Sequence, residues 1–318
     1  MSNMTRVGVD LAKNLIQVHA VDVAGKVMTN PAVKRENFLQ WCAQLPTSYL
    51  VAMEACSGAH HWCRQLRERG LDTRIIAAQF VAPYWTQGKS GKNDANDAAA
   101  VCEAASRPHM NFVPPKTIAQ QSMLCMHRLR EGLKEERVAC INRIRGLLAE
   151  FGMVVPQKPE VLEHHLSELI EDAGNYIASM ARLVLQRAQE HWKEIDQHLQ
   201  WCDQRIAAHQ KDNEQVHRAA ELKGIGPVTA SAVVATVGDI KQFKNGAQFE
   251  AGLGLTPRQH SSGGKTSLGS ITKQGDTYLR TLLIQGAKSV ALIHREPADP
   301  ISHGRSACES AAAGKKRW

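Results

Sequence analysis

The apolar residues of this chain change period once, near residue 116, and that switch limits its architecture more than any other feature. Before it, short apolar runs alternate with helical stretches. Arg6–Asp10, Leu15–Val21, Lys26–Thr29, Tyr49–Glu54 and Asp72–Ala77 read as strands. "NFLQWCAQL" (Asn37–Leu45) and "GAHHWCRQLRERG" (Gly58–Gly70) carry helical spacing, the second ending on a glycine stop. The pattern predicts an α/β domain over residues 1–115, with Asp22–Gly25 as the turn of an early antiparallel hairpin.

After the switch the period is helical. Met126, Leu129, Leu133, Val138, Ile141, Ile144 and Leu148 recur at three- and four-residue steps, with one longer step before Val138. Ala188, Trp192, Ile195, Leu199, Cys202 and Ile206 do so without a break. Between them "FGMVVPQKPE" holds two prolines, which break helix. Residues 116–221 therefore read as a long helical hairpin with a coiled-coil seam, a spacer or dimerisation arm. Residues 222–294 read as a mostly α domain. It opens on "LKGIGPVTASAVVATVGD", a helix-hairpin-helix type turn. There Gly224 and Gly226 allow tight approach, and the next helix N-terminus offers free N–H groups to a phosphate. "GLGLTPRQHSSGGKTSLGSITKQGDTYLRTLL" then reads as loop before a final helix, and residues 295–318 as a disordered tail.

Charge narrows the partner. The net charge is +8 and the pI about 9.1, which favours an anionic partner, nucleic acid before membrane. Lys223–Arg280 carries a net +4, half of that total. Arg258, Lys265 and Lys273 in this stretch are candidate phosphate contacts, and "SSGGK" supplies flexible backbone between them. Aromatic residues are only 5%, so a surface that reads bases mainly by stacking is not expected. The eight cysteines form no CxxC pair, which excludes a zinc ribbon or dithiol redox motif and reads as cytosolic thiols. No apolar run approaches the roughly 18 residues of a membrane span. A soluble, cytoplasmic protein is the expectation.

Acidic residues sit where apolar strands end. Asp10 ends the first strand and Glu54 the fourth, just before a small-residue turn and a helix. Asp94 and Asp97 stand three apart at a helix start, a spacing that puts both on one face. Taken singly, each reads more readily as a turn or capping residue. Gathered, four carboxylates repel one another unless a cation neutralises them, and Mg²⁺ matches an all-oxygen set. Two such ions are the usual device for phosphodiester displacement.

"GVDLAK", "AMEACSG" and "KNDANDA" resemble the RuvC-like, ribonuclease-H-like domain of DEDD transposases of the insertion sequence 110 family. "LKGIGPVTA", "FEAGLGLTPRQHSSGGK" and "GDTYLRTLLIQGA" resemble its C-terminal transposase domain, in the manner of the 1111 subgroup. The resemblance implies a recombinase that moves its element through a circular intermediate. It implies Mg²⁺ held by Asp10, Glu54, Asp94 and Asp97, and a serine that becomes covalently linked to DNA. By spacing after "GLTPR" that serine matches Ser262, with Ser261 its neighbour and competitor. It further implies donor and target DNA, a noncoding guide RNA, and a dimer or tetramer in which tetrad and serine come from different subunits. No local His–Asp pair could activate Ser262, and His260 reads as a packing or phosphate-contact residue. The likeness ends near His294, where family members continue with another helical segment; a truncated copy would uncover Leu282, Leu283 and Ile284. Two other readings stay open: a metal-dependent junction nuclease in which serine has no role, and an inactive copy that only binds nucleic acid.

Overall fold

The computed structural model describes residues 4–85 and 93–293. The lysines and glycines just before Asp94 and the tail from residue 295 lie outside the described residues. The chain divides into two compact units, one ending at Thr117 and one starting at Ile118.

The first unit is built on a sheet of seven strands: β1 (Met4–Leu11), β2 (Leu15–Asp22), β3 (Val27–Thr29), β4 (Ala32–Lys34), β5 (Leu50–Glu54), β6 (Asp72–Ile76) and β7 (Phe112–Val113). Their order is β3-β2-β1-β5-β6-β7, with β4 also on β2. β1 is antiparallel to β2 and parallel to β5, and β6 continues parallel to β5. The β2–β3 hairpin turns at Asp22–Gly25, as expected, where Asp22 Oδ1 accepts from Lys26 N at 2.9 Å. The two short strands β4 and β7 escape the sequence pattern because three and two residues are too few to show alternation.

Alternation sorts the strand residues between the sheet's faces. Val7, Val9, Val51 and Met53 pack against Phe38 and Cys42 of α1 (Phe38–Cys42) and Trp62, Cys63 and Leu66 of α2 (Ala59–Arg67). On the opposite face Ala52 and Ile76 pack against Val81 of α3 (Ala78–Val81) and Ala100, Val101 and Ala104 of α4 (Asp94–Ala104). Both faces are covered, so β5 is apolar up to Glu54 and β1 carries no polar side chain from Val7 to Val9.

The second unit contains α5 (Ile118–Ala149), α6 (Pro159–Glu171), α7 (Ser179–Asp212), α8 (Glu214–Ala220), α9 (Pro227–Val237), α10 (Gly246–Gly252), β8 (Pro257–Gln259), β9 (Leu268–Ile271) and α11 (Thr277–Ile293). The two long helices pack antiparallel: Arg130 pairs with Asp203 at 2.6 Å and Arg137 with Asp196 at 2.5 Å. The α7 residues that share one stripe in the sequence face inward, with Trp192, Ile195, Cys202 and Ile206 buried. On α5 the seam runs instead through Leu133, Cys140, Ile141, Ile144 and Leu148. Leu129 and Val138 are exposed, contrary to the sequence reading. Arg137 explains the longer step: its guanidinium lies 5.6 Å from the Trp192 ring centroid while it pairs with Asp196, so a cation covers the seam there.

A buried polar network joins α5, α7, α9 and α11. His127 is 1% exposed; its Nε2 lies 2.9 Å from Ser231 Oγ and its Nδ1 3.1 Å from Tyr278 Oη. His209 Nδ1 lies 3.0 Å from the same Ser231 Oγ. Burial, then the nearby charges of Arg130 and His209, pull the His127 pKa down to about 4. Leu282 and Leu283 of α11 pack against the Ala232, Leu253 and Leu279 core and are half-buried, as is Ile284. Among the described residues no helix is long and apolar enough to cross a membrane, and the seven described cysteines are free.

Candidate active site

Asp10 and Glu54 stand side by side at the C-terminal ends of two parallel strands. The register pairs Gly8 with Ala52 and Val9 with Met53, so the next residues along are the two acids. Two positions past Gly8 and Ala52, both carboxylates point to the face that α4 covers. Both residues are half-buried, and both have partners within the chain. The thiol of Cys56, just past Glu54, reports their field. Its pKa is raised by burial first and then by the Glu54 and Asp10 carboxylates, while Arg35 lowers it.

Helix α4 brings the other two acids to the same interface. A Cβ on Gly8 would stand 2.2 Å from the Ala98 carbonyl oxygen and 2.5 Å from the Cys102 amide, so only a bare Cα admits the helix this closely. Arg6 lies against the Cys102 thiol, so β1 and α4 run in opposite directions and the Asp10 end of the strand approaches the first helical turn. Asp94 and Asp97 precede Ala98 and Val101 by one turn and extend their sheet-facing stripe. Asp97 is half-buried and Asp94 exposed. Neither carboxylate is needed as a cap: Asn93 holds that role, its side chain accepting from Asn96 N at 2.8 Å.

Asp10 and Glu54 thus share one strand-end edge, and α4 packs on the face they point to, with Asp97 half-buried and Asp94 exposed on its first turn. Their oxygen-only donor set suits a hard divalent cation. Among the described residues, no three His, Cys, Asp or Glu stand close enough together to hold a metal ion.

The C-terminal stretch expected to be a loop is a β-hairpin. Strands β8 and β9 pair antiparallel, and His260 N donates to Ser267 O at 2.8 Å. Ser262 and Lys265 close the tip, Ser262 N donating to Lys265 O at 3.3 Å and Lys265 N to Ser262 O at 3.0 Å. Gly263 and Gly264 between them have φ of 56° and 78°, the doubly left-handed turn whose twist suits a hairpin. The Gly-Gly pair was the available sequence signal, hidden in a stretch rich in small polar residues. Ser261 and Ser262 are both exposed, but they differ in one respect. Ser261 Oγ accepts from Gln259 Nε2 at 2.8 Å, whereas the Ser262 hydroxyl has no hydrogen bond among the described residues.

Arg258, Lys265 and Lys273 are exposed around this hairpin, and Lys273 adopts φ 57°, rare for a side-chain-bearing residue. The two glycines of the α8–α9 turn have different surroundings. Gly224 lies against α11, where a Cβ on Gly286 would stand 2.0 Å from its carbonyl oxygen; around Gly226 there is open space. Sequence reasoning overlooked Gly8 as the residue that sets α4 in place, although an isolated glycine inside a strand signals close backbone approach. It also overlooked the His127–Ser231–Tyr278 network, whose members are 104 and 151 residues apart.

A model for DEDD transposases of the IS110 type matches residues 7–153, and one for transposases of the IS116/IS110/IS902 family matches residues 216–300. The second match runs past His294, where the likeness was expected to end. A Pseudomonas aeruginosa protein named "Probable family 20 transposase" is 45% identical over 91% of this chain and 84% of its own length. The transposase for insertion sequence element IS1111A of Coxiella burnetii is 39% identical over 91% of this chain and 79% of its own. The transposase for IS1328 of Yersinia enterocolitica is 36% identical over 91% and 84%. These matches run along both units: the chain belongs to the IS110 family of insertion-sequence transposases, enzymes that cleave and rejoin DNA.

Proposed function

We propose that the first unit is a ribonuclease-H-like, RuvC-like nuclease module whose Asp10, Glu54, Asp94 and Asp97 hold Mg²⁺, and that Ser262 is the nucleophile. The observation that carries this reading is the side-by-side placement of Asp10 and Glu54 on the sheet face against which the Gly8 contact sets α4. The sheet order, with one antiparallel hairpin beside parallel strands, supports the fold assignment.

When bound, the cation neutralises charge on a scissile phosphate and favours ionisation of an attacking hydroxyl. The chain's own residues do the rest. Asp10 and Glu54 sit on a covered, rigid sheet and fix the site's position. The hairpin tip presents Ser262 with its hydroxyl unengaged, which favours it over Ser261. Its oxygen gives up a proton, bonds to phosphorus and displaces one sugar oxygen, which leaves as a hydroxyl. Arg258 and Lys265 flank the strand to offset phosphate charge. Gly226, open at the N-terminus of α9, offers backbone N–H groups to a second phosphate in the manner of a helix-hairpin-helix turn. The long helical pair acts as a coiled-coil arm between copies, so that one subunit's tetrad works with another's serine. An element-encoded RNA selects donor and target sites.

Denaturing gels of the full chain with labelled element-end DNA test the chemistry. Ser262→Ala is expected to abolish the covalent protein–DNA adduct and Ser261→Ala to retain it. Asp10→Asn and Glu54→Gln are expected to lose more than the about 10–100-fold that changes around a metal's ligands cost. Mg²⁺-dependent hydrolysed ends with no protein attached would instead mark a junction nuclease. Binding without cleavage would mark a copy that only holds nucleic acid.

A further inference from the structure

We propose that a groove beside the acidic strand ends, lined by Lys13, Lys34, Arg35, His61 and Trp62, binds a phosphodiester group of a single DNA strand and guides it past Asp10 and Glu54. This rests on the nuclease reading above and adds a binding site to it.

The groove is open to solvent and spans about 700 Å³. Lys13 and Asn14 come from the β1–β2 turn, Lys34 and Arg35 from the end of β4 and the turn after it, and His61 and Trp62 from the first turn of α2. Three permanent cations face one carboxylate, Glu36. Its place follows from chain connectivity: Ala12 is two residues past Asp10, and Gly58 four past Glu54. The strands that carry the acids lead directly into the groove's walls.

Two donors converge there. Arg35 is held in position: its Nη1 donates to Ala12 O at 3.1 Å, its backbone N donates to Asn14 O at 3.0 Å, and its guanidinium lies 5.3 Å from the Trp62 ring centroid. Arg35 Nη2 is 3.3 Å, and Trp62 Nε1 4.0 Å, from the point a Cβ on Gly58 would occupy. Trp62 is only 6% exposed, and its buried Nε1 has no hydrogen-bond partner among the described residues. An unpaired buried N–H is destabilising, so this one calls for an acceptor. Gly58 precedes α2 with no side-chain cap, Ala59 N donating to Cys56 O at 3.2 Å. A fixed guanidinium and an orphaned indole N–H are both donors. A phosphate oxygen meets the needs of both.

The test uses full-length protein in a metal-chelating buffer, with fluorescence anisotropy of a short labelled single-stranded DNA and of an RNA of the same sequence. A Lys13→Gln/Lys34→Gln variant is expected to bind the DNA about tenfold more weakly or worse. Its log–log salt slope should shrink by about 1.4, two single-strand phosphate contacts. Trp62→Phe keeps an aromatic ring but removes the N–H, and should weaken binding severalfold with an unchanged circular dichroism spectrum. Wild-type affinity and slope in both variants overturn the proposal. Losses confined to RNA overturn the assignment to DNA. If the wild-type chain fails to cleave with Mg²⁺ while the variants still lose DNA affinity, the nuclease reading falls and the groove stands.

Discussion

The two units close their interiors by opposite means. In the first, α4 meets β1 backbone to backbone at Gly8, and the core on either side of the sheet is apolar. In the second, four helices meet at a buried histidine that shares a serine hydroxyl with a second histidine and bonds a tyrosine. A steric contact is indifferent to pH but intolerant of a single methyl group. A buried imidazole resists an added proton because burial disfavours its charge. The same difference separates the candidate residues: Asp10 and Glu54 are placed by a covered sheet, whereas Ser262 stands on a hairpin that is exposed from Pro257 to Ser270.

Acid gives the largest expected contrast. An unfolded histidine takes up its proton near pH 6.5, whereas folded His127 resists protonation until about 4. The unfolded state therefore binds more protons within that window. The second unit keeps its full stability above pH 6.5 and loses about 3 kcal/mol as pH falls to 4. The His209 pKa is also lowered, chiefly by burial, and adds a loss of the same sign. Segment-resolved hydrogen exchange should show the second unit loosening before the first. Equal acid sensitivity in both units would break the comparison.

Gly8→Ala tests the first unit. The added methyl must displace the Ala98 carbonyl and the Cys102 amide, at a cost of about 1–3 kcal/mol or more. Cleavage should fall because Asp94 and Asp97 move with the helix, while exchange in the second unit stays unchanged. Asn93→Ala should have a smaller effect, about 1 kcal/mol from the lost cap of α4. A denaturant midpoint that moves with little change in slope is the expected reading for it.

Much of the first unit was legible because its signals are local. The strand runs ending at Asp10 and Glu54 and the i,i+3 pair Asp94–Asp97 need only period and position. The α7 stripe was legible for the same reason, and the α5 stripe failed at Leu129 and Val138 because Arg137 fills a seam position that polarity rules assign to solvent. Helix α6 was obscured by the proline-rich stretch before it, where Pro159 begins the helix in place of breaking it. The β8–β9 hairpin was missed because its strands are short and polar and expose nearly every residue, leaving no buried face to set a pattern.

From sequence alone come the identity of the acids, their places at strand ends and a helix start, the helical arm and the basic C-terminal stretch. All follow from periodicities a few residues long. Only the tertiary structure decided that Asp10 and Glu54 share a register, that Gly8 admits α4 beside them, and that Trp62 is left with an unpaired N–H next to Arg35. It likewise decided that His127 meets partners more than a hundred residues away. Such relations depend on which chain segments pack together, and packing across long separations leaves no periodic trace in the chain that makes it.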